Sequence, residues 1–151
     1  MKDLNRDPAL EQIEHEVVML LRRADFKKTL DGAENNLFRS GYLILNLLQQ
    51  TSPLAVRELA DHFQLDVSTV SRQIKALENR HLVERRIGEH DGRVNQIFIT
   101  DAGKRSVVKL KKERLMVYDS LLAGWSEEEK AVFADHLARL NRKIESRHRL
   151  H

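Results

Sequence analysis

The chain has 151 residues, of which 26 are Lys or Arg and 23 Asp or Glu, leaving a formal charge of only +3. That length suits one domain with a sizeable core, and so small a positive excess must gather on one face to matter to a nucleic acid. The sequence contains no cysteine, which excludes disulfides, thiolate metal sites and a cysteine-based oxidation sensor.

The opening MKDLNRDPALEQ has no apolar signal core, and no run approaches the roughly eighteen apolar residues of a membrane span. A soluble, cytoplasmic protein is therefore expected. From Pro8 to about Leu30 the residues Leu10, Ile13, Val17, Leu20, Leu21 and Ala24 recur at spacings of three and four, which predicts a helix. Pro8 fits its start and Gly32 its stop. A second helix is predicted in SGYLILNLLQQ, with Ser40 as its cap and the apolar run from Tyr42 to Leu48 at the centre of the domain. Pro53 ends it.

In SPLAVRELADHFQLD, Val56, Leu59, Ala60 and Phe63 make one apolar stripe before a turn through Gln64 and Leu65. Asp66 is placed to cap the next helix, with Ser68 competing for that role. Val67, Val70, Ile74 and Leu77 then fall on one face of it. The opposite face carries Ser68, Arg72, Lys75 and Asn79, flanked by Thr69, Ser71 and Gln73. Two short helices of which the second is basic outside have the form of a helix-turn-helix. Arg, Lys and short hydroxyls are the groups that read base edges or hold phosphates in a major groove. An ordinary solvated face would look the same on this helix alone. The next segment tips the balance towards DNA: LVERRI and VNQIFIT read as strands, joined by GEHDGR with its Gly88 and Asp91-Gly92 turn signals. This hairpin is the wing of a winged helix-turn-helix. Arg93 sits at its tip, where an arginine can enter a narrow minor groove, and Arg85 and Arg86 lie on the strand leading in.

Thr100 is placed to cap a long helix reaching about Ala123, with Val107, Leu110, Val117 and Leu121 as one seam and Val108, Leu115 and Leu122 broadening it. The crowd of Lys104, Arg105, Lys109, Lys111, Lys112 and Arg114 reads most simply as its solvated face. Gly124 breaks the pattern, and SEEEK supplies a capping box of Ser126 with Glu129. Phe133, Leu137, Leu140 and Ile144 stripe the last helix. The first helix and the last two offer more apolar surface than one small winged helix buries. A homodimer with these helices interleaved about a two-fold axis is the economical solution, although a monomer with a packed helical layer would also satisfy the pattern.

The segment from Pro53 to Lys104 resembles the multiple antibiotic resistance regulator (MarR) family of transcription factors. The matching pieces are RELADHFQLDVSTVSRQIKALENRHLVER and HDGRVNQIFITDAGK. The second is similar to the family's wing signature at Asp91, Arg93, Ile99, Thr100 and Gly103. By this resemblance Arg93 is the wing-tip arginine and Asp91 the acidic residue that holds the wing. The family often has Gly at the end of the recognition helix, where this chain has His81, a departure that touches helix termination and not DNA contact. The implied fold is mainly α (α+β), a winged helix-turn-helix of about six helices with a small β-hairpin wing. One regulator domain, 1–151, would comprise an N-terminal dimerisation helix (8–38), the DNA-binding region (40–100) and C-terminal dimerisation helices (101–148).

The function expected is sequence-specific binding of double-stranded DNA by a homodimer, by default as a repressor on a palindromic operator with half-sites roughly 34 Å apart. The residues expected to carry it are Arg57, Ser68, Thr69, Ser71, Arg72, Lys75, Arg85, Arg86, Asp91 and Arg93. The resemblance further implies a small aromatic or anionic effector between the dimer helices and the reading domain, for which His15, Met19, Phe26, Tyr42 and Met116 are candidates; each is more often plain core. No cofactor is expected. The seven histidines, His15, His62, His81, His90, His136, His148 and His151, raise a metal-responsive alternative, but they are scattered and lack cysteine partners. An enzyme is not expected, because the chain has no Gly-rich phosphate loop, nucleophile elbow or ligand-spaced His-Glu motif. A helical protein–protein interaction module is the stronger rival, yet it leaves the basic face and Arg93 without a purpose.

Overall fold

The computed structural model describes residues 7–22, 39–87 and 95–148. They belong to two units, Met1–Asn36 and Leu37–His151. In the first, α1 (Pro8–Arg22) begins at the expected proline. Asp7, which no apolar spacing marks, supports its first turn: Oδ1 accepts the Leu10 N–H at 3.2 Å. Along α1, Leu10, Ile13, Val17, Leu20 and Leu21 are exposed, and no residue of the helix is buried. Ala24, Phe26 and the expected stop at Gly32 lie outside the described residues.

The second unit runs α2 (Arg39–Gln50), β1 (Leu54–Ala55), α3 (Val56–Phe63), α4 (Val67–Asn79), β2 (Val83–Ile87), β3 (Asn95–Ile99), α5 (Asp101–Leu121) and α6 (Glu127–His148). With α1, the described residues hold six helices and a three-stranded antiparallel sheet ordered β1-β3-β2, a mainly α winged helix-turn-helix. Ile44, Leu45 and Leu48 of α2 form the centre of the core. Leu59 and Ala60 pack on them from α3, Val70, Ile74 and Leu77 from α4, Ile97 and Ile99 from β3, and Val107 and Leu110 from α5. Two expectations are corrected. Ser40 is not a cap, because α2 already includes Arg39. Val67, placed on the buried face by its spacing, is 46% exposed, since the first turn of α4 projects past the core that its later turns cover. Leu121, on the expected seam of α5, stands exposed at its far end.

Strand β1 was hidden in the sequence, where two residues carry no period. It pairs with β3 through Leu54↔Ile97 and Ala55↔Gln96, and Ser52 Oγ accepts the Ile99 N–H at 3.3 Å. The helices around the turn end without glycine. After α3, Gln64 adopts φ 55°, and Leu65 N–H returns to the Ala60 carbonyl at 3.0 Å. After α4, His81 adopts φ 59°, and Leu82 N–H returns to the Leu77 carbonyl at 3.0 Å. Both are the left-handed terminations that glycine usually supplies.

Thr100 caps α5 as expected, its Oγ1 accepting the Gly103 N–H at 3.0 Å. The same hydroxyl donates to the His81 carbonyl at 2.7 Å, and the Thr100 N–H donates to the Leu82 carbonyl at 3.1 Å. One residue thereby ties the end of the sheet and the start of α5 to the end of α4. Gly103 permits the approach: a Cβ there would lie 2.2 Å from the Leu82 carbonyl oxygen and 2.8 Å from Ile99 Cγ1. Beyond Gly124, at φ 87°, the expected capping box forms, with Ser126 N–H on Glu129 Oε1 at 3.0 Å and Glu129 N–H on Ser126 Oγ at 3.1 Å. Along α6, Phe133, Leu137, Leu140 and Ile144 are 42–47% exposed. No helix among the described residues is long and apolar enough to cross a membrane.

Candidate nucleic-acid interface

With Val70, Ile74 and Leu77 fully buried, α4 has one orientation available, and its outer face is fixed by geometry. Ser68, Arg72, Lys75 and Asn79 are exposed there, with Thr69, Ser71 and Gln73 half-buried beside them. The face is internally wired. Asp66 Oδ2 accepts the Thr69 hydroxyl at 2.7 Å and that of Ser68 at 3.4 Å, and Arg72 Nη2 lies 3.4 Å from Thr69 Oγ1. The Thr69 hydroxyl bond, with smaller help from the Asp66 backbone, Ser68 and the Arg72 charge, holds the Asp66 carboxyl below its ordinary value. Asp66 occupies the cap position as expected, but its side chain makes no bond to the first-turn N–H groups.

Strands β2 and β3 run beside α4 in the register Val83↔Ile99, Arg85↔Ile97 and Ile87↔Asn95. Val83 and Ile97, on the inner side of this pairing, are buried. Arg85 Nε and Nη2 donate to Glu78 Oε1 at 3.2 and 3.1 Å, which ties β2 to α4. Arg86 stacks over the Phe98 ring, 4.4 Å from its centroid, and pairs with Glu84 at 2.6 Å. Arg57, at the start of α3, lines an open groove of about 660 Å³ together with Val67, Ser71, Arg85 and Asn95. The structure thus brings Arg57, Ser71 and Arg85 to one groove, which Glu58 and Asp61 also line, while Ser68, Thr69, Arg72 and Lys75 stand elsewhere on α4. Asp91 and Arg93 lie outside the described residues. Asp66, read in the sequence only as a cap, meets Thr69, and Glu78, Glu84 and Phe98 are neighbours that the sequence did not single out. The first contact could have been found from the i, i+3 spacing of Asp66 to Thr69, whereas Glu78 and Arg85 meet only through the fold.

The effector candidates fall in both units. His15 and Met19 lie in the first unit, Tyr42 and Met116 in the second, and Phe26 outside the described residues. Tyr42 is half-buried, with the Arg114 guanidinium 4.9 Å from its ring centroid. Met116 opens instead onto a second groove of about 650 Å³ with Val108, Leu115, Leu122 and Lys111, which Tyr42 does not line. Among the described residues no three His, Asp or Glu side chains gather at metal-binding distances.

A buried helix-turn-helix, an exposed basic second helix and a strand pair at its side define a winged helix-turn-helix DNA-binding protein. The MarR family profile matches residues 39–94. The HTH-type transcriptional regulator YxaD of Bacillus subtilis is 40% identical over 138 residues, covering 91% of this chain and 96% of that protein. The chain belongs to the MarR family of transcriptional regulators. Among solved structures it is similar to the transcriptional regulator SlyA, with TM-score 0.74 and 25% identity over 91% of this chain and 97% of that one. It is also similar to the PcaV regulator of Streptomyces coelicolor, solved with its natural ligand, with TM-score 0.65 and 26% identity over 94% and 96%.

Proposed function

We propose that the protein binds a palindromic operator as a homodimer and represses transcription there, in the cytoplasm. The observation that carries this reading is the basic outer face of α4, held rigidly outward by three fully buried residues. In this reading Ser68, Thr69, Ser71, Arg72 and Lys75 enter or border the major groove, and Arg57, Arg85 and Arg86 meet phosphates. Arg93 reaches the minor groove, steadied by Asp91. The exposed apolar rows of α5 and α6, from Leu115 and Leu121 to Phe133, Leu137, Leu140 and Ile144, are more than a lone particle leaves to water, and a second copy would cover them. Two-fold symmetry then presents two α4 helices to half-sites about 34 Å apart.

Regulation is consistent with the same geometry. PcaV was solved with a natural ligand, and a small aromatic or anionic molecule is the corresponding effector for this chain. Such a ligand weakens DNA binding only by preferring a dimer whose two α4 helices are wrongly spaced for the operator. Titration of a duplex from upstream of the reading frame, repeated over a range of salt, tests the central claim. Affinity should fall steeply and linearly on logarithmic axes, at about 0.9 in slope per phosphate contacted. No binding at low salt, or a flat slope, would overturn it.

A further inference from the structure

Asp66 sits at the N-cap of α4 in extended backbone, φ −70° and ψ 150°, yet its side chain caps nothing. A carboxylate in that position ordinarily accepts the N–H of the second or third helical residue. Here Oδ2 turns outward to the hydroxyls of Thr69, at 2.7 Å, and Ser68, at 3.4 Å. With its proton committed to Asp66, Thr69 Oγ1 has only lone pairs to offer, and Arg72 Nη2 stands 3.4 Å from it. A carboxylate, a hydroxyl and a guanidinium are thereby linked in sequence along the outward face. By charge alone a carboxylate is misplaced on a surface that meets phosphates, because it opposes every duplex alike.

We propose that Asp66 is a positioning residue for sequence readout: through Thr69 it orients the Arg72 guanidinium before DNA arrives, while its charge suppresses binding to unrelated duplex. The inference rests on the reading of α4 proposed above. A free arginine side chain must be ordered in the complex, and ordering it beforehand removes that cost from the cognate complex. Repulsion of phosphates applies to all sequences equally and lowers unrelated binding without changing the ratio of right to wrong sites, so the ordering of Arg72 alone widens that gap.

The test uses the full-length protein, a duplex from upstream of its reading frame and a scrambled duplex of the same length and composition. In Asp66→Ala, affinity for the upstream duplex should fall roughly three- to tenfold, a fraction of a bidentate base contact. Affinity for the scrambled duplex should hold or rise. Thr69→Val keeps the carboxylate and the side-chain shape, so it should lose the same cognate affinity without the gain on scrambled DNA. Asp66→Ala made in an Arg72→Ala background should cost no further cognate affinity, since coupled residues are not additive. A role confined to helix stability would lower both affinities together and persist in that background, which would overturn the proposal. NMR relaxation of the Arg72 Nε–H in the DNA-free protein separates the layers. Unchanged mobility in both variants refutes the positioning contact whatever DNA does. Increased mobility with an unchanged ratio of upstream to scrambled affinity also refutes it. If Arg72→Ala leaves that ratio unchanged as well, the reading of α4 fails with it.

Discussion

Arg85 of β2 and Glu78 of α4 meet through two hydrogen bonds to a single carboxylate oxygen, at 3.1 and 3.2 Å. Their side chains are 27% and 31% exposed, so solvent screens the pair and its share of stability is at most about 1 kcal/mol. The pair joins the recognition helix to the strand that leads into the wing. Glu78→Ala is expected to move the melting temperature little and to weaken operator binding by more than its stability cost. Thermal denaturation read beside a fluorescence anisotropy titration checks this; equal small effects in both would leave the pair without a part in docking.

Gly103 stands where α5 passes closest to the sheet. A methyl group there would overlap the Leu82 carbonyl, which is backbone and already engaged by the Thr100 N–H. Gly103→Ala should therefore cost at least about 1–3 kcal/mol, visible as a lower urea midpoint.

His81 holds φ 59° with a full side chain, in a region that costs non-glycine residues roughly 1–2 kcal/mol. His81→Gly keeps the carbonyl that receives the Thr100 hydroxyl and removes the steric cost. The added freedom of the unfolded chain offsets part of the benefit. A net gain of up to about 1 kcal/mol is expected, with DNA affinity unchanged; a lower urea midpoint would show that the imidazole itself is needed.

Arg93→Ala should weaken operator binding by about 1–3 kcal/mol without altering stability. Lys75→Ala separates two roles: loss of sequence preference marks a base contact, whereas uniform weakening with a shallower salt slope marks a phosphate contact. Competition titrations at two salt concentrations supply both readings.

Two carboxylates give stability a defined acid limb. The Ser126 backbone N–H, aided by its hydroxyl, holds Glu129 below its ordinary 4.5, and the Thr69 hydroxyl chiefly holds Asp66 below 3.8. A depressed folded-state value means the charged form is favoured by folding. The contribution is thus complete above those ordinary values and is lost as pH falls through the lowered ones. Glu129→Gln together with Asp66→Asn should lower the urea midpoint in the neutral range and flatten its decline below about pH 4.5, the two proteins converging in acid.

Much of this molecule was legible in its residues. The spacing of Val70, Ile74 and Leu77 placed α4 and its outward basic face, because a 3.6-residue period records which side is buried. Thr100 and the Ser126–Glu129 box announced their helix starts, because caps are satisfied within a few residues. Other features were decided only in three dimensions. Strand β1 exists because β3 offers two residues an edge. Glu78 finds Arg85, and Thr100 finds the His81 carbonyl, only after the chain has turned back on itself. Gln64 and His81 take the conformation of glycine because the surrounding core dictates their backbone. Local periodicity and capping chemistry are written along the chain; contacts between distant segments depend on packing, which no single stretch contains.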